Sequence, residues 1–265
     1  MCHLFTSFFL TVTLYLNYER SKILKMKKKI LSICLLGLLL TLKLNFVNAR
    51  SIYYINQYNV EFTESQYNYF SNMFWDGYQE FITQDEFNYV DKLNLFKSQI
   101  ETTYLKENDL QLYSTMTEKS RTLIMNKSCS SQCYISLQAN WNAKPNVKSY
   151  DVIGARLSGV SLVKAGNAYV MGDNFNKSYS SPDIKNNGFG YSVKLENVSN
   201  LKVNVSFFTT TGGTVYGAYE HSRRNISLKT SKLYTISQGG QGNVFKFNGA
   251  ASNVYDEANG LSLNV

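Results

Sequence analysis

Histidine is nearly missing from this chain. Of the two in 265 residues, His3 lies in the N-terminal leader, so the remainder has only His221. One histidine cannot build the usual zinc site. Any Ser-His-Asp machinery would have to use His221, yet no G-x-S-x-G nucleophile elbow occurs. Its polar setting, Tyr219-Glu220-His221-Ser222-Arg223-Arg224, places it at a strand end and on the surface. Clustered cations are also scarce. Residues 1–49 hold seven Lys or Arg and one Glu, which leaves 20 cations and 18 anions for residues 50–265, a net charge of +2. Phosphate tracking needs several cations together, so no nucleic-acid partner is expected. No long apolar run follows residue 49, and the membrane enters only through the leader.

Carboxylates are present without a pattern. Asp151, Asp173, Asp183, Glu196 and Glu220 are spaced in no way that pairs two of them for glycoside hydrolysis. Asp151 adjoins an apolar strand and reads as a strand-end cap. The loop Asp173-Asn174-Phe175-Asn176-Lys177-Ser178 is rich in oxygen donors. It has Phe175 where an EF-hand needs a ligand, so it reads as an ordinary loop. Gly239-Gly240-Gln241-Gly242 lacks the Lys-Ser/Thr of a phosphate loop and reads as a turn. No catalytic residue, metal site or cofactor is assigned.

The features that are present concern export and β structure. Lys25-Met26-Lys27-Lys28-Lys29, the apolar Ile30–Leu40 and Val47-Asn48-Ala49 have the three parts of a secretory signal. Cleavage is expected between Ala49 and Arg50, with Met26 as the true start; a retained anchor is the competing reading. After removal only Cys129 and Cys133 remain, between strand-like segments, and read as a disulfide stapling a hairpin tip. Five Asn-x-Ser matches, at Asn126, Asn176, Asn197, Asn204 and Asn225, are read as accidents of an Asn/Ser-rich composition.

Residues 50–62 form a Tyr/Asn-rich polar lead-in. Phe62–Phe70 and Ile82–Val90 then repeat one pattern. In each a Thr is followed three residues on by Gln66 or Glu86, a capping box. Tyr67, Phe70 and Phe74, then Phe87 and Val90, recur at helical spacing, and Gly77 separates the copies. Beyond about residue 110 the period becomes two. Ile135, Leu137, Ala139 and Trp141 alternate with Tyr134, Ser136, Gln138 and Asn140. Leu201, Val203, Val205 and Phe207 alternate with Lys202, Asn204, Ser206 and Phe208. One buried and one solvated face is expected for each, as in antiparallel sheet.

The organisation read from these patterns is a leader (1–49), a small helical hairpin region (50–109) and a β domain (110–265). The fold class is mainly β: an antiparallel β-sandwich, Ig-like or jelly-roll-like, preceded by the helical hairpin.

The stretch from Trp141 through Lys144-Pro145 to Ser149-Tyr150-Asp151-Val152-Ile153-Gly154 resembles a segment of exported proteins of low-GC Gram-positive bacteria. Those proteins share the order of signal, helical pair and β domain. The resemblance implies a bacterial, exported protein and carries no activity or site residue across. Three functions are ranked. First is a secreted or surface-associated, non-catalytic β module binding a protein or glycan. Second is a pore-forming protein using the Ser/Thr/Gly-rich strands of residues 201–230 around Gly212-Gly213. Third is a carboxylate-dependent hydrolase.

Overall fold

The structure, a computed structural model, describes residues 20–27, 29, 51–105, 121–145, 147–224, 234–237, 244–256 and 260–265. It divides into two compact units, Met1–Ser51 and Ile52–Val265. In the first, residues 20–27 are helical. The signal core Ile30–Leu40 and the Ala49–Arg50 junction lie outside the described residues, as do Ile226–Lys229, which the sequence pattern also reads as a strand, and the turn Gly239–Gly242.

The second unit is mainly β. Its helical portion holds β1 (Tyr54–Ile55), β2 (Glu61–Phe62), α1 (Glu64–Met73), α2 (Gln84–Lys92) and β3 (Ile100–Leu105). Then come β4 (Arg121–Cys129), β5 (Cys133–Trp141), β6 (Tyr150–Ser158), β7 (Leu162–Gly172), β8 (Phe175–Tyr179) and β9 (Asp183–Lys185). The chain ends with β10 (Gly188–Lys194), β11 (Lys202–Thr209), β12 (Thr214–Glu220), β13 (Tyr234–Ile236), β14 (Phe245–Phe247) and β15 (Leu261–Asn264).

Two antiparallel sheets face each other. One has the order β3-β4-β5-β11-β7-β8, the other β15-β12-β6-β10-β9. Alternation drives the packing, because successive side chains leave opposite faces of a strand. Ile135, Leu137, Ala139 and Trp141 of β5 and Val203, Val205 and Phe207 of β11 meet Ile153, Ala155, Phe189, Tyr191 and Val215 across the sandwich. This is the antiparallel sandwich expected from the sequence.

The opposite face of the six-stranded sheet is a correction. Tyr134, Ser136, Gln138, Asn204, Ser206 and Phe208 were expected in solvent but are buried. The reason is a helical layer laid over them: Phe70, Met73, Phe74, Tyr78, Phe87 and Val90 pack on Tyr134, Tyr169, Met171 and Phe208. A third apolar cluster covers the outside of the five-stranded sheet, where Tyr234, Phe245, Phe247 and Tyr255 pack on Val152 and Ala218. Gly190 makes room for that cover, since a Cβ there would lie 2.6 Å from the Tyr234 hydroxyl oxygen.

Local chemistry sets the helices. Thr63 and Gln66 form the full capping box at α1. At α2 Thr83 accepts from the Glu86 amide as expected, but the Glu86 carboxylate does not return the bond. It turns into the sheet, where Tyr134 (2.5 Å) and Ser206 (2.7 Å) donate to it. Gly77, at φ +92°, opens the 3-10 turn Tyr78–Phe81 between the helices. In the segment Asp173–Ser178, Asp173 and Asn174 form the hairpin turn between β7 and β8, with Asn174 left-handed at φ +56°, and Phe175–Ser178 belong to β8 itself.

Cys129 and Cys133 pair across the β4–β5 tip, bonded at 2.01 Å. The stapled tip reaches the helical layer. Ser130 Oγ donates to the Leu93 carbonyl (2.7 Å), and Tyr89 donates to Gln132 (2.8 Å).

Candidate functional sites

Three places combine unusual chemistry with defined geometry: a buried polar network, an exposed hairpin, and a groove beside α1. The network joins the two residues given bland roles by the sequence. His221 is buried and not on the surface, and Asp151, at the start of β6, is buried with it. Asp151 accepts from His221 Nδ1 (2.8 Å), the Ser222 amide (3.1 Å), the Ser222 hydroxyl (3.4 Å) and the Tyr219 hydroxyl. Trp141 Nε1 donates to the Tyr219 oxygen at 3.1 Å, and its ring meets that of His221 edge-on at 4.8 Å. The His221 amide donates to Asp256, whose carboxylate pairs with Arg121 at 2.5 Å. Arg121 also lies over the Trp141 and Tyr219 rings.

Electrostatics follow from burial. Desolvation works against the Arg121 charge, but Asp256, Tyr219 and Glu220 reverse it and hold the guanidinium ionised. Burial first, then the Asp151 charge, pushes the Tyr219 phenol well above its ordinary range. An Asp–His pair is two-thirds of a nucleophilic triad. Here the neighbouring hydroxyl, Ser222 Oγ, bonds to Asp151 and not to the histidine. The network ties β5, β6 and β12 to the segment around Asp256, and its geometry is that of a clamp.

Of the carboxylates considered for hydrolysis, Asp151 and Glu220 are both buried, and no acid lines any of the three described cavities. The strands considered for a pore do not form a hairpin. β11 pairs with β5 and β7, whereas β12 pairs with β6 and β15, so the Gly212-Gly213 turn crosses from one sheet to the other. Both strands are thereby committed to the sandwich. No helix among the described residues is long and apolar enough to cross a membrane.

The second place was missed in the sequence, where residues 50–62 read as a polar lead-in. They form the β1–β2 hairpin. Asn56 secures it: its buried amide donates to the carbonyls of Gln79 and Ile82, both at 2.8 Å, and its oxygen accepts from the amides of Tyr58 and Val60. Tyr54 donates to Glu80 and packs edge-on against Tyr67. The hairpin so fixed presents Ile52, Tyr53, Ile55 and Tyr58, each 46–58 % exposed. Elsewhere in the described part of this unit the large exposed hydrophobics are Tyr104, Val163 and Ile184, scattered singly. Density of Tyr and Ile in Ile52-Tyr53-Tyr54-Ile55 was the available signal. Exposure was not legible, because it depends on what the fold leaves uncovered.

The third place is a groove of about 660 Å³ between α1 and the edge strand β3. Ser65, Asn68 and Asn72 line it from one helix face, Ile100 and Thr102 from alternate positions of β3, and Tyr69, Phe96 and Ser98 complete it. Two smaller cavities, of about 410 and 300 Å³, meet at Ile184–Asn187 on the edge strand of the other sheet. No group of three His, Cys, Asp or Glu among the described residues is arranged to hold a metal ion.

Comparison with known proteins adds little. No family profile matches the chain. No curated protein matches it either. Among solved structures it is similar to the collagen binding domain of Erysipelothrix rhusiopathiae surface protein RspB, with 9% identity and a TM-score of 0.30. The likeness covers 62% of this chain and 48% of that one, about half its length. At that score the fold assignment rests on the strand pairing itself: an antiparallel β-sandwich with a helical layer on one outer face and an aromatic cover on the other.

Proposed function

We propose that this chain is an exported bacterial β module, released or held at the cell surface, that binds an extracellular protein or glycan and performs no chemistry of its own. The observation that carries the reading is the hairpin of residues 52–58, which gathers two exposed tyrosines and two exposed isoleucines on a support fixed by Asn56. Contiguous apolar exposure of this kind marks interaction surfaces. Tyrosine supplies contact area at low entropic cost and keeps a hydroxyl for hydrogen bonding. Commitment of His221 and Asp151 to a buried clamp supports the non-catalytic part. A disulfide in the mature chain suits an oxidising compartment outside the cytosol, and the leader supplies the route.

The test is to print extracellular-matrix proteins and glycans as arrays and probe them with fluorescent protein comprising residues 50–265. Saturable capture by at least one printed ligand is expected, and silence on both arrays removes the reading. N-terminal sequencing of the exported product should begin at Arg50. An intact leader in the cytosol, with Cys129 and Cys133 reduced, would defeat the export half.

A further inference from the structure

We infer that the groove between α1 and β3 is a binding site for an uncharged saccharide. The inference rests on the binding-module reading and names the ligand class of one site on it. The walls follow from periodicity. Ser65, Asn68 and Asn72 stand at i, i+3 and i+7 of α1, a single stripe. Ile100 and Thr102 share one face of β3 with Tyr104, which is 55 % exposed. The volume of about 660 Å³ is in the range of small-ligand sites.

The chemistry of the lining selects the class. Ser65, Asn68, Asn72, Ser98 and Thr102 contribute hydroxyls and amides, while Tyr69, Phe96 and Ile100 contribute an apolar floor. Among the described residues, no Lys, Arg, His, Asp or Glu lines the groove. A phosphate, sulfate, carboxylate or ammonium ligand would lose hydration there and gain no countercharge from the described lining. A neutral ligand with many hydroxyls around an apolar ring face meets both halves of the lining. The side chains of Asn68, Asn72 and Thr102 make no hydrogen bond to other described residues, so their donors and acceptors are not already committed.

The floor is rigid. Tyr69 packs edge-on against Phe70 (5.4 Å) and Phe96 (5.2 Å), and Phe96 against Phe87 (5.3 Å). Pre-organisation of this kind reduces the entropy lost on binding. A peptide added as a further strand would instead follow the backbone edge of β3, leaving the helix wall untouched.

The experiment titrates ¹⁵N-labelled protein of residues 50–265, a compact unit with its own apolar cores, with neutral hexasaccharides of glucose, mannose and N-acetylglucosamine. A heparin hexasaccharide serves as the anionic control. Saturable shifts at the Asn68 and Asn72 side-chain amides and along β3 are expected for at least one neutral sugar, with none for heparin. Asn68→Ala with Asn72→Ala should weaken that binding about thirtyfold without moving Tm, since each of the two amides removed takes its hydrogen bonds to the sugar with it. Sugar-induced shifts confined to residues 52–58 would overturn the site and leave the module reading standing. So would protein capture on the arrays with no sugar response, or peptide-induced shifts running only along β3. Silence in both experiments would remove both.

Discussion

The two faces of the six-stranded sheet are equally dry and differ in how many polar side chains they bury. Toward the other sheet, Leu123, Met125, Ile135, Leu137, Val203, Val205 and Phe207 form an apolar core, with Arg121 of β4 buried at its margin over Trp141 and Tyr219. Toward the helices the same three strands bury Asn126, Ser128, Ser136, Gln138, Asn204 and Ser206, none more than 3 % exposed. The first face is held by area removed from water, which has no direction. The second adds to its apolar contacts a set of hydrogen bonds, which do. The Met73 carbonyl, near the α1 C-terminus where helix carbonyls lack partners, accepts from Asn126 (2.7 Å), Ser136 (2.5 Å) and Gln138 (3.1 Å). Apolar contact buries the helical layer, and this socket fixes where it sits.

The contrast breaks most sharply on β5, where neighbours point to opposite faces. Leu137→Ala leaves a cavity in the sandwich interior, against Gly217 and Met125. It should cost about 2–5 kcal/mol. Urea unfolding would show a lower midpoint with an unchanged slope, and a loss under 1 kcal/mol would mean the core is looser than its burial implies. Replacing Cys129 and Cys133 together by Ser comes next. The closed loop is short, so the entropic gain is about 2 kcal/mol. Because Ser130 and Gln132 of that tip bond to Leu93 and Tyr89, the loss should appear first as faster hydrogen exchange in α2. Equal loss of protection in β5 and β6 would contradict this.

Gln138→Ala is the counterpart of Leu137→Ala on the hydrogen-bonded face. Its Nε2 donates to Met73 and Ser136 while its Oε1 has no partner, so the truncation also removes an unsatisfied oxygen. A net cost of about 1 kcal/mol is expected. Exchange should quicken at the end of α1 and stay unchanged in the two sheets. A global loss as large as that of Leu137→Ala would show that the two faces are not held differently.

How much of this was legible in the sequence depends on how far apart the partners lie. The alternation Ile135-Leu137-Ala139-Trp141 is local, and it identified the strand, its core face and the antiparallel sandwich. It did not say that the opposite face would be covered, because the cover comes from residues about 60 positions earlier. Strands β1, β2, β3, β8, β9 and β15 went unread; β1 and β2 have two residues each, β9 three and β15 four, too few for a period to show. His221 looked superficial because its partner Asp151 is 70 positions away. Burial at Asn126 (3 %) and Asn204 (0 %) gives a structural reason to discount those two Asn-x-Ser matches as glycan acceptors. The clamp, the hairpin patch and the groove are products of tertiary placement, for which one sequence carries no local signal.

The smallest expected effect is also the most diagnostic of the polar face. Glu86 is buried between α2 and the sheet, and desolvation raises its pKa above the ordinary 4.5; the hydrogen bonds from Tyr134 and Ser206 and the charge of Lys164 only partly offset it. The folded state therefore holds this proton more tightly than the unfolded chain does. The stabilisation linked to it is complete below pH 4.5 and is lost as pH rises through the folded pKa. Glu86→Gln keeps an oxygen that can accept from Tyr134 and Ser206 but cannot ionise. Stability measured by urea unfolding from acid to neutral pH should fall more steeply for the wild type than for the variant, with the difference growing above pH 4.5. Parallel curves would mean that Glu86 has the same proton affinity folded and unfolded. The carboxylate would then have to be hydrated beneath α2, and the outer face of the sheet would not be dry at its centre.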